Sequence, residues 1–510
     1  AVIVGVYLYQ FAGKPVTKPS VLVIAFPSLI VSDLDPSYSF ANEIVAMANV
    51  YEPLLRYVGG EKLVEPCLAT SYEVSPDGLT WTFHLRKGVK FHDGTPFTAE
   101  AVKYSIERTI KEGAGAAFIW SPLDRIEIVD DYTVKFILKY PAPLQKIVSS
   151  CYGAWIYSPK TKDIPNLHDW FNEGHDAGTG PYMISKFERR KEMVLTKFND
   201  YWRGWEGPHI DKVIIKVVMD ATVRENMIET GEAHITSELP FESIERLKGE
   251  EGIEVVVSPS FENLIGWLNT VKPPLNDKRV RQAIAYAFPY EKVIKEVMHG
   301  YAVQSRGPVP TGMWGHIDSL FQYTHNLTKA RELLAEAGYP NGGFKFLILY
   351  HTGDVILERI NLLFKAELEK LGIEVELRPG TGDAIYNYAH GDPMQAQELI
   401  WFYWWPTYIS PYDFLFSMFH SASIEFYNLA YYNNTEFDSL IDQAHELEGV
   451  DPVKSLELYK KAQEILVEDC PAIFAFDKQS VHIIRSIVKG FKYNPAYPWS
   501  VQWYDMWLEG

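Results

Sequence analysis

The 510-residue chain holds only three cysteines, Cys67, Cys151 and Cys470, with no CxxC pair. That excludes a zinc ribbon or a dithiol redox centre and leaves either one disulfide or buried free thiols. Basic residues are outnumbered, 48 Lys and Arg against 66 Asp and Glu, for a formal net charge of −18. A nucleic-acid partner requires the opposite balance and is excluded. Catalytic signatures are missing too. There is no HExxH and no GxSxG, and the glycine turn "GTGPY" at 178–182 lacks the spacing and Lys-Ser/Thr of a phosphate loop. "FHDG" at 91–94 pairs a histidine with an aspartate but has no further ligands at metal spacing, so a turn is expected, with no metal and no cofactor. Only the paired carboxylates of a glycosidase stay open, because so acidic a chain offers many candidates.

What is present is a folded body of ordinary composition, 47% apolar and 22% charged, too long for one core. The opening "AVIVGVYLYQFAGKPVTKPS" begins with about a dozen apolar residues, short of the roughly 20 that span a bilayer. It fits the tail of a signal peptide or an N-terminal anchor with "GKPVTKPS" as tether, the alternative being a first buried strand. No cysteine nearby offers a lipid site. Thereafter strands and helices alternate. "SVLVIAF" predicts a buried strand, and "SPDGLTWTFHLRKGVKF" a turn followed by a half-buried strand. "DDYTVKFIL" reads as a hairpin strand. Thr98 is positioned to cap a helix whose Val102, Ile106 and Ile110 share one face. Leu357, Ile360, Phe364, Leu368 and Leu371 form another helical face that stops at Gly372, before the strand "IEVEL". Helices near 435–447 and 452–468 precede the apolar "AIFAF" and "VHIIRSIV". The pattern is α/β with mixed sheets.

The stretch "LATSYEVSPDGLTWTFHLRKGVKFHDGTPFTAEAVKYSIER", residues 68–108, resembles the extracellular solute-binding proteins of ABC importers, the oligopeptide/dipeptide/nickel-binding family. "LDPSYSFANEIVAMANVYEPLLRY", "GTGPYMISKF", "NDYWRG…PHIDKVIIKVV", "LNTVKPPLNDKRVRQAIAYAF" and "SPYDFLFSMFHS" follow in the family's order, so the similarity runs from about residue 20 to 500. The resemblance implies a two-lobed periplasmic-binding-protein-like fold of type II, with an extra subdomain in the first lobe. Residues 1–19 would be leader and tether, 20–266 plus 481–510 the first lobe, and 267–480 the second. Trp267 and Asn269 would mark the first crossing and Asp477 to Ser480 the return. A monomer outside the cell or in a periplasm, delivering its ligand to a membrane permease, is the implied state. The rival class is an exported enzyme acting on polysaccharide.

The run "WFYWWPTYISPYDFL", 401–415, sets five aromatic residues in a row before a proline. In peptide-binding relatives this region carries a Trp lining the pocket and an Asp pairing with the peptide's ammonium group. Trp404 takes the place of that Trp, and Thr407 stands where the Asp would be. A neutral threonine cannot offer the charge-assisted bond that a buried ammonium needs. Flat rings beside hydroxyl and amide groups suit sugar rings, so an oligosaccharide, β-linked or chito-type, is favoured over a peptide. Expected at the ligand are Trp404, Trp405, Thr407, Tyr403, Tyr408, Asp413, Trp267, Asn269 and Ser28. Strand alternation would send Trp401, Tyr403 and Trp405 one way and Phe402 and Trp404 the other.

Overall fold

The computed structural model describes residues 19–28, 33–59, 63–424 and 426–509, so the expected leader and most of the expected tether fall outside the described residues. None of the described helices is long and apolar enough to cross a membrane. The chain is a two-lobed α/β structure strung on one mixed sheet. Eleven strands among the described residues share that sheet, which two long antiparallel strands, Ile253–Leu268 and Ala472–Arg485, cross from end to end.

Beside their outer halves, on the first-lobe side, lie Ile235–Ser237, Val21–Phe26, Lys212–Val217, Glu192–Lys197 and Tyr182–Glu188. Beside their inner halves, on the second-lobe side, lie Leu399–Trp404, Lys345–His351 and Glu374–Gly380. The crossing ladder runs evenly from Ile253 opposite Arg485 to Pro259 opposite Gln479, then breaks and resumes at Asn263 opposite Asp477. The break lies several residues before Trp267 and Asn269 on that strand and beside Asp477 on its partner. The segment "AIFAF" and the first five residues of "VHIIRSIV" lie on one strand, Ala472–Arg485, which ends before Ser486.

The first lobe adds a separate sheet of four antiparallel strands in the order Ala69–Val74, Thr80–Leu85, Thr133–Leu138, Leu123–Asp130. The helix Ala99–Glu112 follows Thr98, whose backbone is extended but whose side chain makes no capping bond. The first helical N–H, that of Ala99, donates instead to the Asp131 carbonyl at 2.9 Å. Val102 and Ile106 are buried, whereas Ile110 is 41% exposed. Each step of four residues turns the side chain about 40° further round the helix, so the third member of the stripe leaves the core. Leu357, Ile360, Phe364 and Leu368 are buried along the helix Val355–Glu369, and Leu371 is buried just past its end. Cys67, Cys151 and Cys470 are free and buried.

Both chain ends build the first lobe. Buried Asn49, in the helix Ile44–Val50, donates to the Val501 carbonyl and accepts from the Trp503 N–H, each at 2.9 Å. "GTGPY" packs on the end of the same helix. A Cβ on Gly178 or Gly180 would run into the Val50 or Asn49 carbonyl, so only glycine allows that approach. The expected turn forms at "FHDG", with Gly94 at φ +80°. Its His92 ties this region together: one ring nitrogen meets Asp176 and the other the Gly180 carbonyl at 2.8 Å.

Burial works against the charge on His92, but Asp176 and the Gly180 carbonyl outweigh it and raise its pKa. A raised imidazolium pKa stabilises the fold fully below the unfolded value of about 6.5, and the contribution fades as pH climbs through the folded value. His92→Gln should therefore cost about 1.5–3 kcal/mol in acid and less at alkaline pH. Paired melts across pH test this; a deficit that grows with pH would refute it.

Candidate functional site

The aromatic run begins as the strand Leu399–Trp404, paired on one side with the crossing strand and on the other with Lys345–His351. Such a central position suits large and β-branched side chains. Trp401 faces the helix Val355–Glu369, fully buried, and its indole N–H donates to the Asn361 side-chain oxygen at 2.9 Å. Opposite it in register is Gly266, where any Cβ would strike the Trp401 ring. Tyr403 lies beside Asp354 at that helix's N-terminus.

Phe402 and Trp404 point to the other face and meet Trp267 edge-on at 6.2 and 6.4 Å. Trp267 is core: it is 1% exposed, packs also on Phe419, and donates its indole N–H to the Met418 carbonyl at 3.3 Å. Asn269 is likewise enclosed in the protein's own bonds, donating to the Pro393 and Gln397 carbonyls and accepting from the Val271 and Lys272 N–H groups. Trp267 therefore meets the aromatic run as core packing, and the polar groups of Asn269 are taken up away from it.

Pro406 cannot extend the ladder and restricts the residue before it. The strand stops at Trp404, so Trp405 leaves the expected alternation and turns toward the first lobe. Its ring meets Trp499 edge-on at 5.3 Å and its side chain bonds Tyr152. The Tyr152 hydroxyl reaches the Ala41 carbonyl at 3.2 Å, and next to Ala41 the Asn42 amide donates to Ser28 at 2.9 Å. Ser28, Tyr152, Trp405 and Trp499 thus belong to one chain of contacts linking the lobes. Trp404 is half-buried between Trp267 and Tyr427, whose ring lies 5.1 Å away. Its buried indole N–H finds no acceptor among the described residues.

Thr407 is closed off. Its N–H donates to Asp413 at 2.9 Å, and its carbonyl accepts from the first lobe's Ser150 hydroxyl at 2.6 Å. Tyr408 is buried beside it, and Ser410 caps the helix Pro411–Phe419. Charge gathers at the same end of the strand, on the face that Tyr403 presents. Lys478 pairs with Glu262 at 3.1 Å and lies 5.6 Å above the Tyr403 ring, with Glu238 also within its field. Sequence reading missed Ser150, Tyr152, Trp499, Glu262 and Lys478. Each comes from a segment distant in the chain, and no local motif marks it.

The profile described as "Bacterial extracellular solute-binding proteins, family 5 Middle" matches residues 64–426. The Escherichia coli "Probable D,D-dipeptide-binding periplasmic protein DdpA" is 32% identical over 481 residues, covering 91% of this chain and 89% of that protein. The glutathione-binding protein GsiB of Pectobacterium atrosepticum is 31% identical over 497 residues, 95% of this chain and 93% of its own. Among solved structures, the periplasmic binding protein DppA from Helicobacter pylori, in complex with peptide STSA, has a TM-score of 0.81 at 29% identity. It covers 96% of this chain and 98% of that one.

Burial pushes the Asp413 carboxyl up to about 7, against the bonds it receives from Thr407. The ionised form is then the costly one in the fold, so this group's penalty grows as pH rises from the unfolded value of about 3.9 toward 7. Asp413→Asn keeps an acceptor for Thr407 and carries no charge. It should match wild-type stability near pH 4.5 and exceed it by about 2–4 kcal/mol near pH 8. Denaturant titrations at both pH values check this, and a variant less stable at pH 8 would contradict it.

Proposed function

This chain belongs to the bacterial extracellular solute-binding proteins of family 5, and from that premise we propose that it captures a short peptide between its lobes for the permease of an ABC importer. The relatives are named for a D,D-dipeptide, for glutathione and for a bound peptide, which favours the peptide alternative over the oligosaccharide. The observation in the site that carries the reading is charge of both signs beside Tyr403, from Lys478, Glu262 and Asp354. A peptide brings an ammonium and a carboxylate, whereas a neutral sugar gains nothing from paired charges.

With Thr407 sealed by Asp413 and Ser150, the ammonium is assigned to the Glu262 and Asp354 corner, and Trp404 supplies the aromatic floor with a free indole donor. The ligand-binding set is then Trp404, Trp405, Tyr403 and Ser28, with Thr407, Tyr408 and Asp413 shaping the loop. The lobes are assigned as 20–266 plus 481–510 and 267–480, pivoting where the crossing ladder breaks. Closure follows from better ligand contacts in the shut state.

Titration calorimetry against di- to pentapeptides and against oligosaccharides tests the reading. Peptides should bind, more weakly as salt rises, and Trp404→Ala should weaken them by about 2–4 kcal/mol with the fold intact. Sugars bound tightly with peptides ignored would reverse the assignment.

A further inference from the structure

On the far side of the aromatic loop, the lobes meet again through a buried ion pair. Lys146, in the short helix Leu144–Ile147 of the first lobe, is 3% exposed. Its ammonium lies 2.6 Å from Glu448 of the second lobe and 3.2 Å above the centre of the Trp314 ring. The carboxylate is held ready by its own lobe. One oxygen accepts from the Ser410 hydroxyl at 2.6 Å and from the Tyr459 hydroxyl at 2.7 Å, and the other is left for the lysine.

Glu448 ends the helix Thr435–Glu448, where the helix dipole disfavours an anion. His445 does not offset it, since burial lowers that imidazole's pKa to about 4 and leaves it neutral. The second lobe therefore offers a preformed cation socket with an aromatic face. Close packing surrounds it: a Cβ on Gly449 would press on the Ala142 carbonyl and the Trp81 ring, and one on Gly78 would press on Val450 and Pro141.

We propose that Lys146 and this Glu448–Trp314 socket form a closure latch, occupied in the shut arrangement and vacated when the lobes part. The proposal rests on the lobe assignment above. An ion pair suits a reversible latch, because desolvation on closing roughly cancels the attraction gained. The pair selects one shut geometry without locking it. Ser410 couples the latch to the ligand, since the same hydroxyl that holds Glu448 also caps the helix following the aromatic loop.

The test uses no ligand, so it can fail while peptide binding stands, and the reverse. Spin labels on Val129→Cys and Leu362→Cys, both exposed and on opposite lobes, report the interlobe distance, while the three native thiols stay buried. The wild type should show a shut population. Lys146→Met should lower its shut-to-open ratio about tenfold, Glu448→Gln should do the same, and the double variant should be no more open than either. If Lys146→Met fails to fold, Glu448→Gln, which keeps the side chain's shape, carries the same test. A folded variant with unchanged distances, single effects that add in the double variant, or a wild type found only open would each overturn the latch.

Discussion

Two antiparallel strands carry both lobes, and every feature of the site depends on how that ladder is interrupted. Where register is lost between Pro259 and Asn263, protein groups take up the strands' loose ends. The Ser260 hydroxyl bonds the Lys478 carbonyl at 2.6 Å, and buried Asp477 accepts from Ser305 and from the Thr311 N–H and hydroxyl. The break is thus a joint held by specific bonds, although the side-chain oxygen of buried Asn263 finds no donor among the described residues. Glu262 and Lys478 sit on the two strands at this joint. Both charges on which the peptide proposal draws here thus stand beside the interruption in the ladder.

From the joint the aromatic run takes its direction. Its first tryptophan is spent on the core, where Gly266 makes room for it. Its second turns by strand alternation toward Trp267 and Tyr427, and its third reaches Trp499 of the first lobe because Pro406 ends the strand. The same loop then reaches Ser150 through Thr407 and Glu448 through Ser410. The residues that follow Trp404 and Trp405 therefore bridge directly to the other lobe through Ser150.

Local patterns in the sequence were dependable wherever a single element decides the outcome. The helical stripe from Leu357 to Leu371, the strand of Val21–Phe26 and the turn at "FHDG" could all be read before the fold was known, and the family followed from ordered motifs. Ligand class could not be read in the same way. Aromatic rings serve sugars and peptides alike, and the charges on which the peptide proposal rests come from Glu262, Asp354 and Lys478, brought together only by the fold. Trp267 misled for a related reason. A tryptophan near a crossing looks available until Phe402, Trp404 and Phe419 are seen packed around it. Ser150 and Thr407, 257 residues apart, left no trace in either segment.

Because the second lobe is inserted between the crossing strands, the first lobe is the last part of the molecule to be finished. Ile235–Ser237 has no outer neighbour until residues 482–484 arrive, and Asn49 waits for Val501 and Trp503 at the end of the chain. The middle of the chain holds strands and helices enough to condense while the N-terminal portion still shows an open sheet edge. Such late, long-range pairing slows folding and leaves the early segments exposed to wrong partners. A nascent chain of this design carries that unpaired sheet edge until residues 482–484 emerge.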